Sequence, residues 1–280
     1  MSLAADLLDL ATETAREAAR MLVDTRPADG PDVVQTKSSP TDVVTQMDRA
    51  AEQLIVQRIR AARPDDAFLG EEGGTRAGGS GVRWVVDPID GTVNFMYGVP
   101  TYAVSVAAQI DGRSVAGAVV DVAQQVTYWA WSGGGAYACA GTAEAPSGEP
   151  RRLVANPVSD VGLALVATGF GYHPRRRARQ GELIGALLPR VRDIRRIGAG
   201  ALDLCMVASG AVDAHIEHGL SPWDWAAGGL VAAEAGAHVV LPAADSRSSD
   251  GDATIACAPG IADEFLAVLD EIGALAPLPE

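Results

Sequence analysis

The strongest constraint on the fold lies after residue 160, where short apolar runs alternate with helix-length stretches. The pattern predicts strands near 162–168, 193–197, 212–217, 237–241 and 254–258. Helices near 179–188, 199–209 and 222–235 separate them, and another runs from 261 to about 269. Strands spaced by helices of this length predict an α/β layered arrangement, since each apolar sheet face needs a covering layer. The first half reads differently. Residues 3–25 predict an amphipathic helix with Leu3, Leu7, Leu10, Ala18 and Met21 near one stripe. Residues 43–62 predict a second helix, with Thr41 or Asp42 as N-cap and Pro64 ending it. A strand over Val82–Val86 stops at Asp87, and Tyr102, Val104, Val106, Ala108 and Ile110 alternate with strand period. Asp111-Gly112 signals a hairpin, and residues 114–122 and 125–131 continue a meander. The fold class is therefore α/β, in the broad α+β layered sense. A loop over 140–150 divides it into an N-terminal α+β half, 1–150, and a C-terminal α/β half, 151–280.

Composition narrows the function. Of 280 residues, 48% are apolar, enough for a sizeable core, while 36 acidic and 22 basic residues leave a formal charge of −14. That balance argues against a nucleic-acid binder, which needs a basic face. It also repels a phosphorylated substrate unless bound divalent cations reverse the local field. Cys139, Cys205 and Cys257 lie too far apart in sequence for a CxxC or zinc-knuckle spacing and read as structural thiols of a reducing compartment. The N-terminal segment lacks the basic and continuous apolar regions of a signal peptide. The longest uncharged run, 92–110, is broken by Asn94, Gly98 and Pro100. A cytoplasmic location without membrane association is expected. Lys37 is the only lysine. It is either a compact point charge kept for a tight site or a chance survivor on a surface loop.

Three acidic groups carry candidate chemistry: Gly70-Glu71-Glu72, Asp87-Pro88-Ile89-Asp90-Gly91-Thr92 and Trp223-Asp224. Asp87 and Asp90 follow a buried strand, where bare carboxylates are costly unless protonated, hydrogen-bonded or metal-bound. With the Ile89 carbonyl they form a hard oxygen cage suited to Mg²⁺, and Thr92 is placed to cap a short helix whose N–H groups face an anion. The same segment also fits an Asx-type turn with Asp90 as a helix cap. Glu71-Glu72 alone fits a solvated loop, and Ser221-Pro222-Trp223-Asp224 alone fits an ordinary helix start. Jointly the groups supply four or five carboxylates, enough for two or three Mg²⁺ ions.

Read together, Gly70-Glu71-Glu72, the run WVVDPIDGTVNF over 84–95 and PWDWAAGGLVAAEAG over 222–236 resemble, in order and separation, the inositol monophosphatase family. Its members are lithium-sensitive, Mg²⁺-dependent phosphatases. The likeness extends from KSSPTDVVTQMD at 37–48 to EAGAHV at 234–239 and is greatest to the bacterial inositol-1-monophosphatases. It implies an αβαβα sandwich of the sugar-phosphatase type. It places Glu71, Asp87 and the Ile89 carbonyl on a first Mg²⁺, and Asp87, Asp90 and Asp224 on a second, lithium-sensitive one. A third, weaker ion leans on Glu71. Mn²⁺ is an expected substitute. The resemblance assigns catalysis to Glu71, Asp48, Thr92 and Lys37, with Asp48 and Thr92 orienting the attacking water. Substrate contacts fall to Glu71, Ile89, Asp90, Gly91, Thr92, Gly198, Ala199, Gly200, Glu217 and Asp224, of which the Gly91 and Thr92 amides hold phosphate. Departures are Ala237, Trp225 and Gly200, which leave the ligand set intact.

The expected reaction is hydrolysis of myo-inositol 1-phosphate and related polyol phosphates by metal-activated water, with no phosphoenzyme. Metal ions acidify the water and neutralise the ester, so positioning carries the rest. Fructose 1,6-bisphosphate, adenosine 3′,5′-bisphosphate and histidinol phosphate are the alternative substrates. Val93 after Asp90-Gly91-Thr92, followed by Asn94-Phe95, and Glu217 favour the inositol branch. A regulatory protein-binding role and a catalytically dead polyol-binding module are the readings from other classes. A homodimer is the family expectation. Of the remaining features, His215 and His218 read as strand and turn rather than a metal pair. Trp129 and Trp131 read as core or interface. The run Arg175-Arg176-Arg177 reads as a solvated helix start or dimer rim rather than a substrate clamp.

Overall fold

The computed structural model describes residues 3–27, 33–36, 43–141 and 148–280. Helix α1 (Leu3–Thr25) is followed by a two-stranded ribbon, β1 (Val33–Thr36) with β2 (Val43–Thr45), and by α2 (Gln46–Ala62). Then come β3 (Ala67–Gly70), β4 (Gly74–Arg76), β5 (Val82–Asp90), the short α3 (Thr92–Tyr97), β6 (Ala103–Ile110), β7 (Arg113–Asp121), β8 (Val126–Trp131), β9 (Gly135–Ala140) and β10 (Arg151–Arg152). The remainder is β11 (Leu165–Thr168), α4 (Pro174–Leu187), β12 (Asp193–Arg195), α5 (Gly200–Ser209), β13 (Ala214–His218), α6 (Pro222–Glu234), β14 (His238–Val240), β15 (Ala253–Cys257) and α7 (Ala262–Glu271).

Two sheets carry the molecule. One has eight strands in the order β10-β9-β8-β7-β6-β5-β3-β4; the other has five, β12-β11-β13-β15-β14. Helices α1 and α2 cover one face of the large sheet, where Leu7, Leu22, Ile55, Trp84, Val86 and Val106 form a core. Helices α5 and α6 fill the space between the sheets, packing Leu204, Trp225 and Val231 against Val85, Val119 and Ala167. Helices α4 and α7 close the far face of the small sheet through Leu183, Leu187 and Phe265 on Val166, Ile216 and Ile255. The result is the expected layered α/β arrangement, five layers deep, because each sheet is apolar on both faces.

Several expectations are corrected in detail. The strand at 82–86 does not stop at Asp87: β5 runs to Asp90, with an irregular register against β6 between Asp87 and Asp90. Pro88 lacks a ladder donor, and this break in pairing is where a strand tolerates it. The N-cap of α2 is Thr45, which accepts from the Met47 amide; Thr41, Asp42 and Lys37 lie outside the described residues. The cap of α3 is Gly91 rather than Thr92. Helix α4 begins at Pro174, because Pro at the first helical turn sets the start that the apolar pattern alone placed later. Strands β3 and β9 carried no clear alternation in sequence, and pairing with longer neighbours stabilises them. Tyr137 stacks between Trp129 and Trp131 on the outer sheet face, with ring centroids at 6.1 and 5.8 Å.

Candidate active site

Strand alternation and parallel pairing bring the acids together. Val85 and Asp87 share one face of β5, the face that α5 and α6 cover, so the Asp87 carboxyl points toward the start of α6. Strand β3 runs parallel to β5, and the Glu71 amide donates to Val86 O at 3.2 Å, which lays Glu71 beside Asp87. The Glu72 amide donates to Glu52 Oε2 at 2.8 Å, so the adjacent glutamates part: Glu71 faces the site while the backbone of Glu72 anchors the turn. Asp224 sits in the first turn of α6, where its Oδ2 accepts from the Ser221 amide at 2.7 Å. Asp90 accepts from the Gly200 and Ala201 amides at 3.1 and 2.7 Å, capping α5 from a distant strand. Asp90 therefore caps a helix, but the distant α5 rather than the α3 that follows it, whose cap is Gly91, and it also joins an acidic cluster. One carboxylate oxygen each of Asp87, Asp90 and Asp224 lie within 4.8 Å of one another.

Helix N-termini surround this cluster and partly offset its charge. At α2, Asp48 accepts from the Thr45 amide at 2.8 Å and from Thr45 Oγ1 at 2.5 Å. Thr92 Oγ1 stands 3.1 Å from Asp48 Oδ1 and 3.0 Å from the Ile89 carbonyl. Gly91 adopts φ +91°, and a Cβ there would meet Gly198 O and Thr101 O at 3.1 Å, so both conformation and space require glycine. Asn94 Nδ2 donates to Thr101 O and Ile197 O, both at 2.9 Å, tying α3 to the Gly198-Ala199-Gly200 turn.

The electrostatics are lopsided. Burial, then repulsion from Glu71, Asp90 and Asp224, pushes the Asp87 carboxyl far up. Burial, then Asp90 and Glu71, does the same for Asp224. Burial raises Asp90 to about 7, against the amides of Ala201 and Gly200 that lower it. Asp48 is raised by burial, against its Thr45 bonds. Glu217 is raised to about 7 by burial, partly offset by Arg196. Among the described residues no arginine pairs with Asp87, Asp90 or Asp224. An all-oxygen, acid-only set of this kind is unstable alone and fits a hard divalent cation.

These residues share one pocket of about 810 Å³, lined by Glu71, Asp87, Ile89, Asp90, Gly91, Thr92, Gly198–Gly200, Glu217 and Asp224. Among the described residues, the structure thus gathers every sequence-predicted site residue except Asp48, which reaches the pocket through Thr92; Lys37 lies outside the described residues. Sequence reasoning missed the pocket positions of Arg196, Tyr172 and Ser246–Ser249. They lie on loops without a motif, and only the fold brings them to the rim. It also missed Arg176, which is buried rather than solvated. His215 is buried with Nδ1 3.7 Å from Asp203 Oδ2 and is pushed down to about 3 by burial; His218 Nε2 contacts Ala274 O at 2.9 Å.

The sequence pattern of the inositol monophosphatase family matches residues 4–273. The chain belongs to the inositol monophosphatase family. It is accordingly a phosphatase. A relative from Mycobacterium tuberculosis, named inositol-1-monophosphatase SuhB, is 49% identical over 262 residues, covering 91% of this chain and 87% of the relative. A relative from Vibrio cholerae, named Nus factor SuhB, is 34% identical over 236 residues, covering 83% and 84%. The solved structure of Mycobacterium tuberculosis SuhB superposes with a TM-score of 0.82 at 46% identity, covering 97% of this chain and 98% of that one. A Thermotoga maritima inositol monophosphatase superposes with a TM-score of 0.79 at 30% identity, covering 96% and 98%. Among the described residues, no helix of this family member is long and apolar enough to cross a membrane.

Proposed function

We propose that the chain is a Mg²⁺-dependent phosphomonoesterase acting on myo-inositol 1-phosphate and related polyol phosphates. The convergence of Asp87, Asp90 and Asp224 beside Glu71, at the floor of a pocket that also exposes Glu217 and the Gly198-Ala199-Gly200 turn, carries this reading. Glu71, Asp87 and the Ile89 carbonyl would hold one cation and Asp87, Asp90 and Asp224 a second, and Glu71 would contribute to a weaker third. When bound, Mg²⁺ acidifies water and neutralises the phosphate, and Mn²⁺ is an expected substitute. Thr92 has one proton to donate. Given to Asp48, it leaves the Thr92 lone pairs free to accept from the attacking water, so Asp48 and Thr92 orient that water. The Gly91 and Thr92 amides would face the phosphate. Glu217 and the 198–200 turn accept and donate to the alcohol's hydroxyls.

Arg196 opposes the burial of Glu217 and supports its ionised form, which accepts from hydroxyls. The three cysteines are free and buried, in keeping with action in the reducing cytoplasm, and a homodimer is the expected assembly. Identity to the Mycobacterium tuberculosis relative exceeds that to the relative named a Nus factor, which favours catalysis over a regulatory role. A purified-enzyme panel tests the reading. Phosphate release with Mg²⁺ is expected to be fastest from myo-inositol 1-phosphate. Preference for fructose 1,6-bisphosphate, adenosine 3′,5′-bisphosphate or histidinol phosphate overturns the substrate assignment.

A further inference from the structure

Away in sequence from the acidic floor, the pocket draws on parts far apart in the chain: Gly171, Gly219, Ser248, Ser249 and Glu280 all line it. One residue touches them all. The Arg176 side chain is fully buried. Its Nε donates to Leu278 O at 2.6 Å, and its Nη2 donates to Ser248 O at 2.7 Å and Ser249 O at 3.2 Å. Its Nη1 lies 3.5 Å from Ser248 Oγ and 3.6 Å from Glu280 Oε1. The guanidinium fills the space over Gly219, where a Cβ would meet Nη1 at 2.2 Å, and its stem lies over Gly171, where a Cβ would meet Cδ at 3.0 Å. The same helix holds Gly171 again: its amide donates to Gln180 Oε1 at 3.0 Å, and Arg177 Nη1 donates to its carbonyl at 2.9 Å. A planar five-donor fork serves three carbonyls at once, which an ammonium on a flexible stem cannot reproduce.

Gly219 follows Glu217 by two residues, so the pinned rim continues the wall that faces the alcohol of the ester, away from the phosphate end. We propose that Arg176 is a positioning residue for substrate selectivity, fixing Gly171, Gly219, the 248–249 segment and the 278–280 segment into one wall that selects the alcohol. Burying an arginine for this wall alone is costly unless all its donors are used, and here the donors converge on rim backbone. The inference rests on the polyol-phosphate reading of the pocket.

The test compares kcat and KM for myo-inositol 1-phosphate and for 4-nitrophenyl phosphate, whose flat aryl group has no hydroxyls for the wall to hold. Hydrolysis of both by the unaltered enzyme with Mg²⁺ upholds the phosphatase reading itself; absence of inositol phosphate turnover there overturns that reading, independently of the variants. Arg176→Met is expected to lower the kcat/KM ratio of the inositol ester to the aryl ester about tenfold, with the change in KM. Because Arg176→Met disturbs the interior, Ser249→Trp is run beside it. Position 249 is exposed and lines the pocket, so a tryptophan there is expected to narrow the rim from outside the interior. It is expected to shift the same ratio in the same direction. Equal losses on both esters, or an unchanged ratio in Ser249→Trp, overturn the proposal.

Discussion

The two ends of the pocket solve the problem of buried charge in opposite ways. At the rim, Arg176 is sealed from water, yet carbonyls and Glu280 meet its donors within the chain. At the floor, buried Asp87 and Asp90 and half-buried Asp224 lie together, receive only a few amide donors, and repel one another. The rim is electrostatically complete and so behaves as structure. The floor is a set of carboxyls that repel one another, and such a set fits the divalent cation of the proposed function.

The sharpest way to break this contrast is to remove one floor carboxylate. Asp90→Asn is expected to reduce kcat on the order of 10³-fold with folding retained, since charge stabilisation at the reacting centre is the largest catalytic contribution. Steady-state kinetics with a thermal melt measure both, and near-normal turnover removes Asp90 from the second cation. Asp48→Asn comes next, with a fall in kcat of about 10²-fold and little change in KM, as expected of the proposed residue that orients water without holding the ester. A matching rise in KM would move Asp48 from water orientation to substrate binding. Glu217→Gln is expected to raise KM for myo-inositol 1-phosphate about tenfold, the effect of losing one charged acceptor, while kcat changes less.

The smallest effect is thermodynamic. Asp90 and Glu217 are raised to about 7 in the fold, so both take up protons on folding. Their contribution to stability is present below about pH 4 and is lost as pH rises through about 7. Differential scanning calorimetry of the metal-free protein is expected to show Tm falling by several degrees across that window. Saturating Mg²⁺ is expected to raise Tm more at the alkaline end than at the acid end. A Tm gain from Mg²⁺ that is the same at every pH contradicts a floor whose acids compete between proton and cation.

Much of the floor was legible in sequence because it consists of strand ends and helix starts, which local pattern marks. Asp87 and Asp90 interrupt an apolar strand, and Ser221-Pro222 announces the helix that carries Asp224. Their convergence was not local, since it depends on β3 and β5 running parallel and on α6 crossing the larger sheet. The double life of Asp90, ligand candidate and cap of α5, needed a contact across 110 residues. The rim was illegible for the same reason. Arg176 sits in a run of arginines whose other members face solvent, and only three-dimensional packing distinguishes it from Arg175 and Arg177. Likewise, Thr45 rather than Thr41 or Asp42 caps α2, because the preceding β2 strand holds residues 43–45 extended.

The central claim is that the acidic floor is a cation site. A crystal grown with Mn²⁺ and phosphate, with anomalous scattering recorded at the manganese edge, tests it most directly. Anomalous peaks are predicted between Asp87, Asp90 and Asp224 and beside Glu71, with phosphate density against Gly91 and Thr92. Manganese bound elsewhere, with those carboxylates left protonated and hydrogen-bonded to each other, would contradict it.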